Sequence, residues 1–409
     1  MISRTIKKEI IKSLKNKPVT LITGARQVGK STLCYEIKKE FNFNYVSLDD
    51  RRERQQAIND PELFLSLHPW PLIIDEVQYA PALFDVIESI VNKEKIENGS
   101  NNGMYILTGS QAYNLMKQVT ESMAGRVSII RMSPLSTSEI YNKDERPFKI
   151  DIVKNNERIR DYKIDVNQVY NLIVKGFYPE LYDKSDLDIN SFYSNYVDTY
   201  IERDISQLIN IKDKMKFQNF MEMLASLTGE ELVYDSLAKA VGVKVDTIQS
   251  WISVLLAGDI IYLLQPYNEY SIVKRIVKRP KMYFCDTGLA CYLAKLNNAE
   301  VLKKSIFAGR FMETYIVNEI RKSFRNNSVR ENLYYYRDNN QNEIDLIILD
   351  GQLHCIECKS GISYSKNDVK AFNQLKNSNY GIGESCIICN TPSIYKIDEN
   401  IYVLPITVI

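Results

Sequence analysis

A chain of 409 residues, 45% hydrophobic and 25% charged, is long enough for two to four domains, each with its own core. Its 52 Lys and Arg balance 51 Asp and Glu, so no global field announces nucleic acid or lipid, and such a partner must be met by a local patch. With only two histidines, His68 and His354, a histidine-rich metal centre or a histidine-based triad is nearly excluded.

Met1 to Asn16 reads as a polar–apolar helix rather than a signal peptide, and no apolar stretch approaches a membrane span. Seven cysteines without an export signal predict reduced thiols in the cytoplasm. The apolar run Val19 to Thr23 predicts a strand and Ser31 to Glu40 a helix. Between them stands Gly24-Ala25-Arg26-Gln27-Val28-Gly29-Lys30-Ser31, a complete G-x-x-x-x-G-K-[ST] phosphate-binding loop. Gly24 and Gly29 let main-chain N–H groups turn inward and cradle phosphate oxygens at a helix N-terminus. Lys30 then reaches the β and γ phosphates, and Ser31 offers its hydroxyl to Mg²⁺. Gly24 to Thr32 are the predicted nucleotide contacts, Arg26 among them.

The next motif is Pro71-Leu72-Ile73-Ile74-Asp75-Glu76, an apolar strand ending in two acids. Asp75 is placed to hold Mg²⁺ through water, and Glu76 to polarise an attacking water. A further strand, Met104 to Thr108, runs into Gly109-Ser110-Gln111, where Ser110 is a candidate sensor of the γ-phosphate. These three motifs predict an ATP and Mg²⁺ site. Strands near 18–23, 43–48, 72–75, 104–108 and 127–132 alternate with helices, so residues 1–135 read as an α/β P-loop NTPase domain with a parallel sheet. Ligand belongs at the carboxyl edge of those strands. Arg126, before the fifth strand, is either an arginine finger for a neighbouring copy in a homo-oligomer or one half of a local salt bridge.

Residues 136–215 read as a charged connector and a helical region. Thirteen of the 27 positions from 141 to 167 are charged, which predicts an exposed insertion rather than a core element. Arg203, in the helical stretch that follows, is a lesser candidate for phosphate contact. Residues 216–290 look like a winged helix: a helix at 216–227, a short one around Tyr234 to Ala238, a turn at Gly242, and a helix from Thr247 to Ala257. Asp246 is its predicted cap, with Gln249 as reciprocal partner. A helical pair that only packs on its neighbours is the alternative. The run from Lys274 to Lys281, five cations in eight residues, is either a DNA-phosphate contact or a solvated hairpin face.

Residues 291–409 are again mixed α/β, ending in strands near 385–390 and 401–405. Asp345 on one strand, with Glu357-Cys358-Lys359 twelve positions on, is the core of the PD-(D/E)XK nuclease pattern. Glu357 and Lys359 share a strand face. Asp345 and Glu357 would hold a divalent cation, and Lys359 would support the nucleophile or the developing charge. Glu313, on the apolar stripe with Ile316, Val317, Ile320 and Phe324, is placed to complete the site, whereas Glu319 falls off that stripe and reads as solvated. A two-residue turn at Asp350-Gly351 would put Asp345 opposite Ile356; only a longer turn or a bulge sets it against Glu357. An ordinary hairpin with exposed acids is the alternative. Cys355, Cys358, Cys386 and Cys389 read as small core residues, since i and i+3 on a strand face opposite ways.

The ordered set Gly24–Ser31, Leu72–Glu76, Leu107–Ser110, Ala124–Arg126, Gly176-Phe177-Tyr178-Pro179-Glu180, Tyr200–Asp204 and Asp286–Leu289 resembles the prokaryotic AAA-family ATPases that carry a C-terminal domain of unknown function. The resemblance covers nearly the whole chain. It implies ATP binding and hydrolysis with Lys30, Ser31, Asp75 and Glu76 at the site, and leaves the biological task open. Two functions stand side by side: an ATPase acting with or on DNA, or a nucleotide-dependent switch whose C-terminal fold is catalytically silent.

Overall fold

The computed structural model describes residues 2–99, 101–110, 123–161, 164–183, 186–200, 214–269 and 279–409. Strands β1 (Val19–Thr23), β3 (Leu72–Asp75) and β4 (Tyr105–Gly109) are buried at every position, as continuous apolar strands covered on both faces must be. With β2 (Asn44–Ser47) and β5 (Val127–Arg131) they form a parallel sheet in the order β2-β3-β4-β1-β5. Ile22, Ile73 and Ile106 point to the face covered by α1 (Lys7–Asn16) and α2 (Lys30–Phe41). Leu21, Ile74 and Leu107 point to the other, covered by α3 (Arg51–Asn59), α4 (Pro61–Leu67) and α5 (Leu83–Asn98). Because all five strands run one way, the chain leaves β1, β3 and β4 along a single edge.

Most described residues of the charged segment 141–167 are exposed or half-buried, as its composition suggests, but the segment is anchored in the core. Phe148 and Ile150 are buried in the main core, and Glu145 is buried against the Asn326 amide at 2.9 Å. Its helix α7 (Ile152–Asp161), which follows the short α6 (Thr137–Ile140), packs on the last residues of the chain. Charge count alone hid a few apolar anchors. Then come α8 (Val166–Lys175), α9 (Glu180–Asp183) and α10 (Ile189–Tyr200).

Helices α11 (Lys214–Ser226), α12 (Tyr234–Val241) and α13 (Val245–Ala257) follow, with a three-stranded antiparallel sheet β6-β8-β7 made of β6 (Glu230–Glu231), β7 (Ile261–Leu264) and β8 (Lys281–Phe284). Gly242 takes φ +72 and ends α12, whose axis meets that of α13 at 107°. Asp246 does not cap α13. The helix starts two residues earlier than expected, with Lys244 at its N-cap and no side-chain bond there, so Asp246 lies in the first turn. Most of the basic run, residues 274 to 278, lies outside the described residues, as does Arg203. No single helix among the described residues is long and apolar enough to cross a membrane.

After α14 (Thr287–Leu293), α15 (Ala299–Lys304) and α16 (Ala308–Asn326), a six-stranded mixed sheet closes the chain. Its strands are β9 (Leu333–Arg337), β10 (Glu343–Asp350), β11 (Gln352–Cys358), β12 (Ser385–Cys389), β13 (Tyr395–Asp398) and β14 (Ile401–Pro405), in the order β13-β14-β12-β11-β10-β9. Helix α16 is buried nearly all round, and this overturns the solvated Glu319. Glu319 is 3% exposed; it accepts the Thr137 amide at 2.8 Å and pairs with Lys322. A stripe argument assumes one wet face, which α16 lacks.

Candidate functional site

The loop after β1 is shaped by its two glycines. Gly24 takes φ +147, and a Cβ there would sit 2.2 Å from the Met132 carbonyl oxygen. Gly29 takes φ +94 as the N-cap of α2 and brings no side chain to the first amides of that helix. Those amides are free to face an anion, and the positive end of the helix favours one. Lys30 is buried, and its ammonium donates to the carbonyls of Gly24 (3.0 Å) and Ala25 (2.7 Å). Burial lowers its pKa to about 8, against the pull of Glu76, Asp75 and Asp259. Behind the loop the buried Arg4 guanidinium donates to the carbonyls of Val28 (2.6 Å) and Ser133 (2.7 Å) and pairs with Glu139 at 3.1 Å.

Strand order explains how the two acids are set. β4 lies between β1 and β3, so Thr108 stands beside Asp75 and donates to one of its carboxylate oxygens. The Tyr45 hydroxyl donates to the other at 2.8 Å. Thr108 also accepts the Glu76 amide at 3.3 Å. Glu76 leaves the strand at φ +57, and its carboxylate accepts from the Gln78 amide group. Burial raises the Glu76 carboxyl above the ordinary range. The Ser110 hydroxyl is buried with no hydrogen-bond partner among the described residues.

Of these groups, the loop with Lys30, and Glu76, open onto a cavity of about 450 Å³. One wall is Arg26, Gln27, Gly29, Lys30, Ser31, Thr32 and Glu76; the other is Pro179, Glu180, Asp183, Tyr196 and Thr199 from the helical region. Asp286 holds the second wall in place. Its buried carboxylate accepts the Phe177 amide (2.7 Å), the Leu289 amide (2.7 Å) and the Tyr193 hydroxyl (2.8 Å).

At the far end of the chain, β10 pairs with β11 so that Leu349 faces Leu353 and Leu346 faces Ile356, around Gly351 at φ +73. Continued one step, this register sets Asp345 across from Glu357, as the longer turn requires. Asp345 accepts the Cys358 amide at 2.8 Å, and Lys359 donates to Glu357 at 2.6 Å. Glu313, from α16, accepts the Tyr283 hydroxyl at 2.6 Å. As the side chains stand, with a lysine among them, no group of three or more His, Cys, Asp or Glu among the described residues is arranged to hold the expected shared metal. Instead Lys281 stands among these acids, its ammonium 2.9 Å from Glu313, 2.5 Å from Glu343 and 3.7 Å from Asp345. In the sequence this lysine was only the last cation of a basic run. All four cysteines of the C-terminal strands are buried free thiols.

Burial, then the Asp345 charge, pushes the Glu357 carboxyl up to about 8, against Lys359; burial and Asp345 raise Glu313 to about 7, against Lys281. Despite burial, the carboxylates of Glu313, Asp345 and Glu343 hold the Lys281 ammonium well above its ordinary range. An acid with a raised folded pKa binds its proton more tightly in the folded chain. The contribution of Glu357 to stability is therefore fully present below the ordinary value of 4.5 and falls as pH rises towards about 8. Urea unfolding across that window should show the decline, and Glu357→Gln should flatten it; a variant as pH-dependent as the wild type would contradict the assignment.

Three family models match the chain. Residues 166–300 and 308–409 match domains of unknown function (DUF8612 and DUF4143). The remaining match decides the N-terminal part. Residues 16–141 match the AAA domain. An uncharacterised protein of Mycobacterium tuberculosis is 26% identical over 353 residues, covering 85% of this chain and 71% of that protein. Another, of Methanocaldococcus jannaschii, is 23% identical over 317 residues, covering 68% of this chain and 63% of that protein. Among solved structures, a Walker-type ATPase of Pyrococcus abyssi is 16% identical with a TM-score of 0.43, covering 70% of this chain and 94% of that one. A Thermotoga maritima RuvB variant is 16% identical with a TM-score of 0.32, covering 64% and 89%.

The region that matches the AAA domain thus carries the loop, the two acids and Ser110 on one sheet edge, in an ATPase-like P-loop domain. Arg126 is not with them. It precedes β5, at the amino edge of the sheet, and pairs with Glu88 at 3.0 Å and with the Asn92 side chain at 2.7 Å. The local salt bridge is what forms within the chain. Arg4, Tyr45 and Thr108 were not read as site residues, because each acts through a contact distant in sequence. Asp286 and Pro179 carried a signal only as members of the family-like motif set.

Proposed function

We propose that the protein is an AAA-type ATPase that binds ATP with Mg²⁺ in the cavity between the P-loop and the Pro179 wall, and that it engages DNA through residues 214–284. The observation that carries this reading is that Lys30, Ser31 and Glu76 line one cavity at the sheet edge where β3 ends in Asp75, with the α2 amides uncapped by any side chain. The loop amides and Lys30 would hold the phosphates; Ser31 and Asp75, the latter already oriented by Tyr45 and Thr108, would hold the metal. Bound Mg²⁺ supplies neutralisation of phosphate charge. Glu76, its carboxyl raised by burial, would accept a proton from water.

The DNA part rests on shape. A three-residue turn containing Gly242 and an angle of 107° fall within helix-turn-helix geometry, and the β6-β8-β7 sheet would serve as the wing. Lys244, Gln249, Ser250 and Ser253 are exposed at and along α13, where a recognition helix reads a groove. A silent C-terminal fold is favoured over cleavage, because Lys281 sits among the acids that a metal-dependent nuclease would need open.

Titration calorimetry with ATP and MgCl₂ tests the first part. Wild type should take up ATP, and Lys30→Ala should bind at least about tenfold more weakly. No uptake by well-folded wild type would refute the reading. For DNA, anisotropy of a labelled duplex should show binding that weakens with salt and is lost in Lys244→Glu/Gln249→Glu. Unchanged affinity in that variant would rule out α13 as the contact.

A further inference from the structure

The unit that holds β8 and the C-terminal sheet meet across an unusual junction. Lys281 belongs to β8 and pairs through its backbone with Glu231 and Leu264, yet its side chain leaves that sheet and enters the C-terminal domain. It is 2% exposed, and its three carboxylate partners come from two other elements: Glu313 from α16, Glu343 and Asp345 from β10. A lysine on a basic wing has no need of burial; its flexible stem usually keeps the ammonium in water. Burying this one is sustainable only because the surrounding carboxylates replace that water.

We propose that Lys281 is the resident cation of the C-terminal carboxylate cluster: its ammonium takes the place that a divalent metal ion would take, and so fastens β8 to the C-terminal domain. The charge count supports this assignment. Four carboxyl groups converge, from Glu313, Glu343, Asp345 and Glu357, against the ammoniums of Lys281 and Lys359 and the Arg337 guanidinium, 3.7 Å from Glu343. Lys359 is spoken for by Glu357 at 2.6 Å and Arg337 reaches only Glu343, which leaves Lys281 as the one cation paired with Glu313 and Asp345 among the described residues. Remove it, and a cation must enter or the carboxylates must take up protons. Metal uptake at the cluster and attachment of β8 through Lys281 are then mutually exclusive, so the cluster is closed to metal while the two units are docked. The acids do not carry the argument alone: a buried cation from a different part of the chain is already seated among them.

Nucleotide-free full-length protein titrated with Mn²⁺, followed by the loss of the free-ion electron paramagnetic resonance signal, tests this apart from the ATPase reading. Wild type should show no Asp345-dependent uptake. Lys281→Met should take up one Mn²⁺ per chain, at least about tenfold more tightly than wild type, and Lys281→Met/Asp345→Asn should lose it. If Lys281→Met alone does not fold, as judged by near-ultraviolet circular dichroism, Lys281→Met/Glu343→Gln removes one charge of each sign and leaves Glu313, Asp345 and Glu357 intact. Folded variants that take up no Mn²⁺, uptake that survives Asp345→Asn, or wild type that binds as the variants do would each overturn the proposal.

Discussion

Glu76→Gln should keep ATP binding and lower steady-state hydrolysis by about 10²–10⁴-fold, the usual loss when a positioned general base is removed. The size of the effect follows from how little else at the sheet edge can do the job. Asp75 is engaged on both oxygens by Tyr45 and Thr108, so it is oriented for a metal rather than free to take a proton. Glu76 differs. Its main chain turns into the left-handed region at φ +57, which carries its carboxylate out of the strand and onto the cavity that Lys30 and Ser31 also line. Burial raises its pKa and the Gln78 amide group partly offsets that rise. Glutamine keeps the shape and removes the proton acceptor, so calorimetry should find ATP affinity within a few-fold of wild type while a phosphate-release assay finds turnover nearly gone. Equal turnover in both proteins would remove Glu76 from the mechanism.

What the sequence could and could not disclose follows from how local each feature is. The loop from Gly24 to Ser31 is a contiguous motif whose glycines are demanded by backbone angles, so letters and geometry coincide. Strand ends such as Asp75 and Glu76 were legible for the same reason. Thr108 looked like one more strand residue, because its partner Asp75 is 33 positions away and adjacent only through sheet order. Arg4 was invisible for a similar reason: it meets Val28 and Ser133 only once α1 has folded across the loop. Register at the far end was legible as a condition, namely that Asp345 can face Glu357 only if Leu349 pairs with Leu353. The structure meets that condition. Lys281 defeated pattern reading, since a run of cations announces a wet surface and says nothing of the one member that turns inward.

Asp286→Ala should cost about 3–5 kcal/mol of folding stability, because one truncation strands several buried donors at once. The carboxylate is 2% exposed and accepts from the Phe177 and Leu289 amides and the Tyr193 hydroxyl. Nothing nearby can refill the space. Gly176 takes φ +74, and a Cβ there would lie 2.0 Å from the Tyr193 hydroxyl and 2.7 Å from Asp286 Oδ1, so the turn is already at its closest approach. The same residue caps α14, and losing that cap adds to the cost. Function should suffer with stability, since the Phe177 amide anchors the turn whose next residues, Pro179 and Glu180, wall the cavity proposed to take ATP. Asp286→Asn should fall between: its oxygen can still accept from Leu289 and Tyr193, but its NH₂ group would face the Phe177 N–H, donor against donor. An exposed acid such as Asp144, replaced by alanine, should stay within about 0.5 kcal/mol of wild type. Urea midpoints in the order Asp144→Ala, Asp286→Asn, Asp286→Ala, with ATP affinity falling in the same order, are the expected result. A midpoint for Asp286→Ala equal to wild type would show that the Pro179 wall is held by something other than this carboxylate.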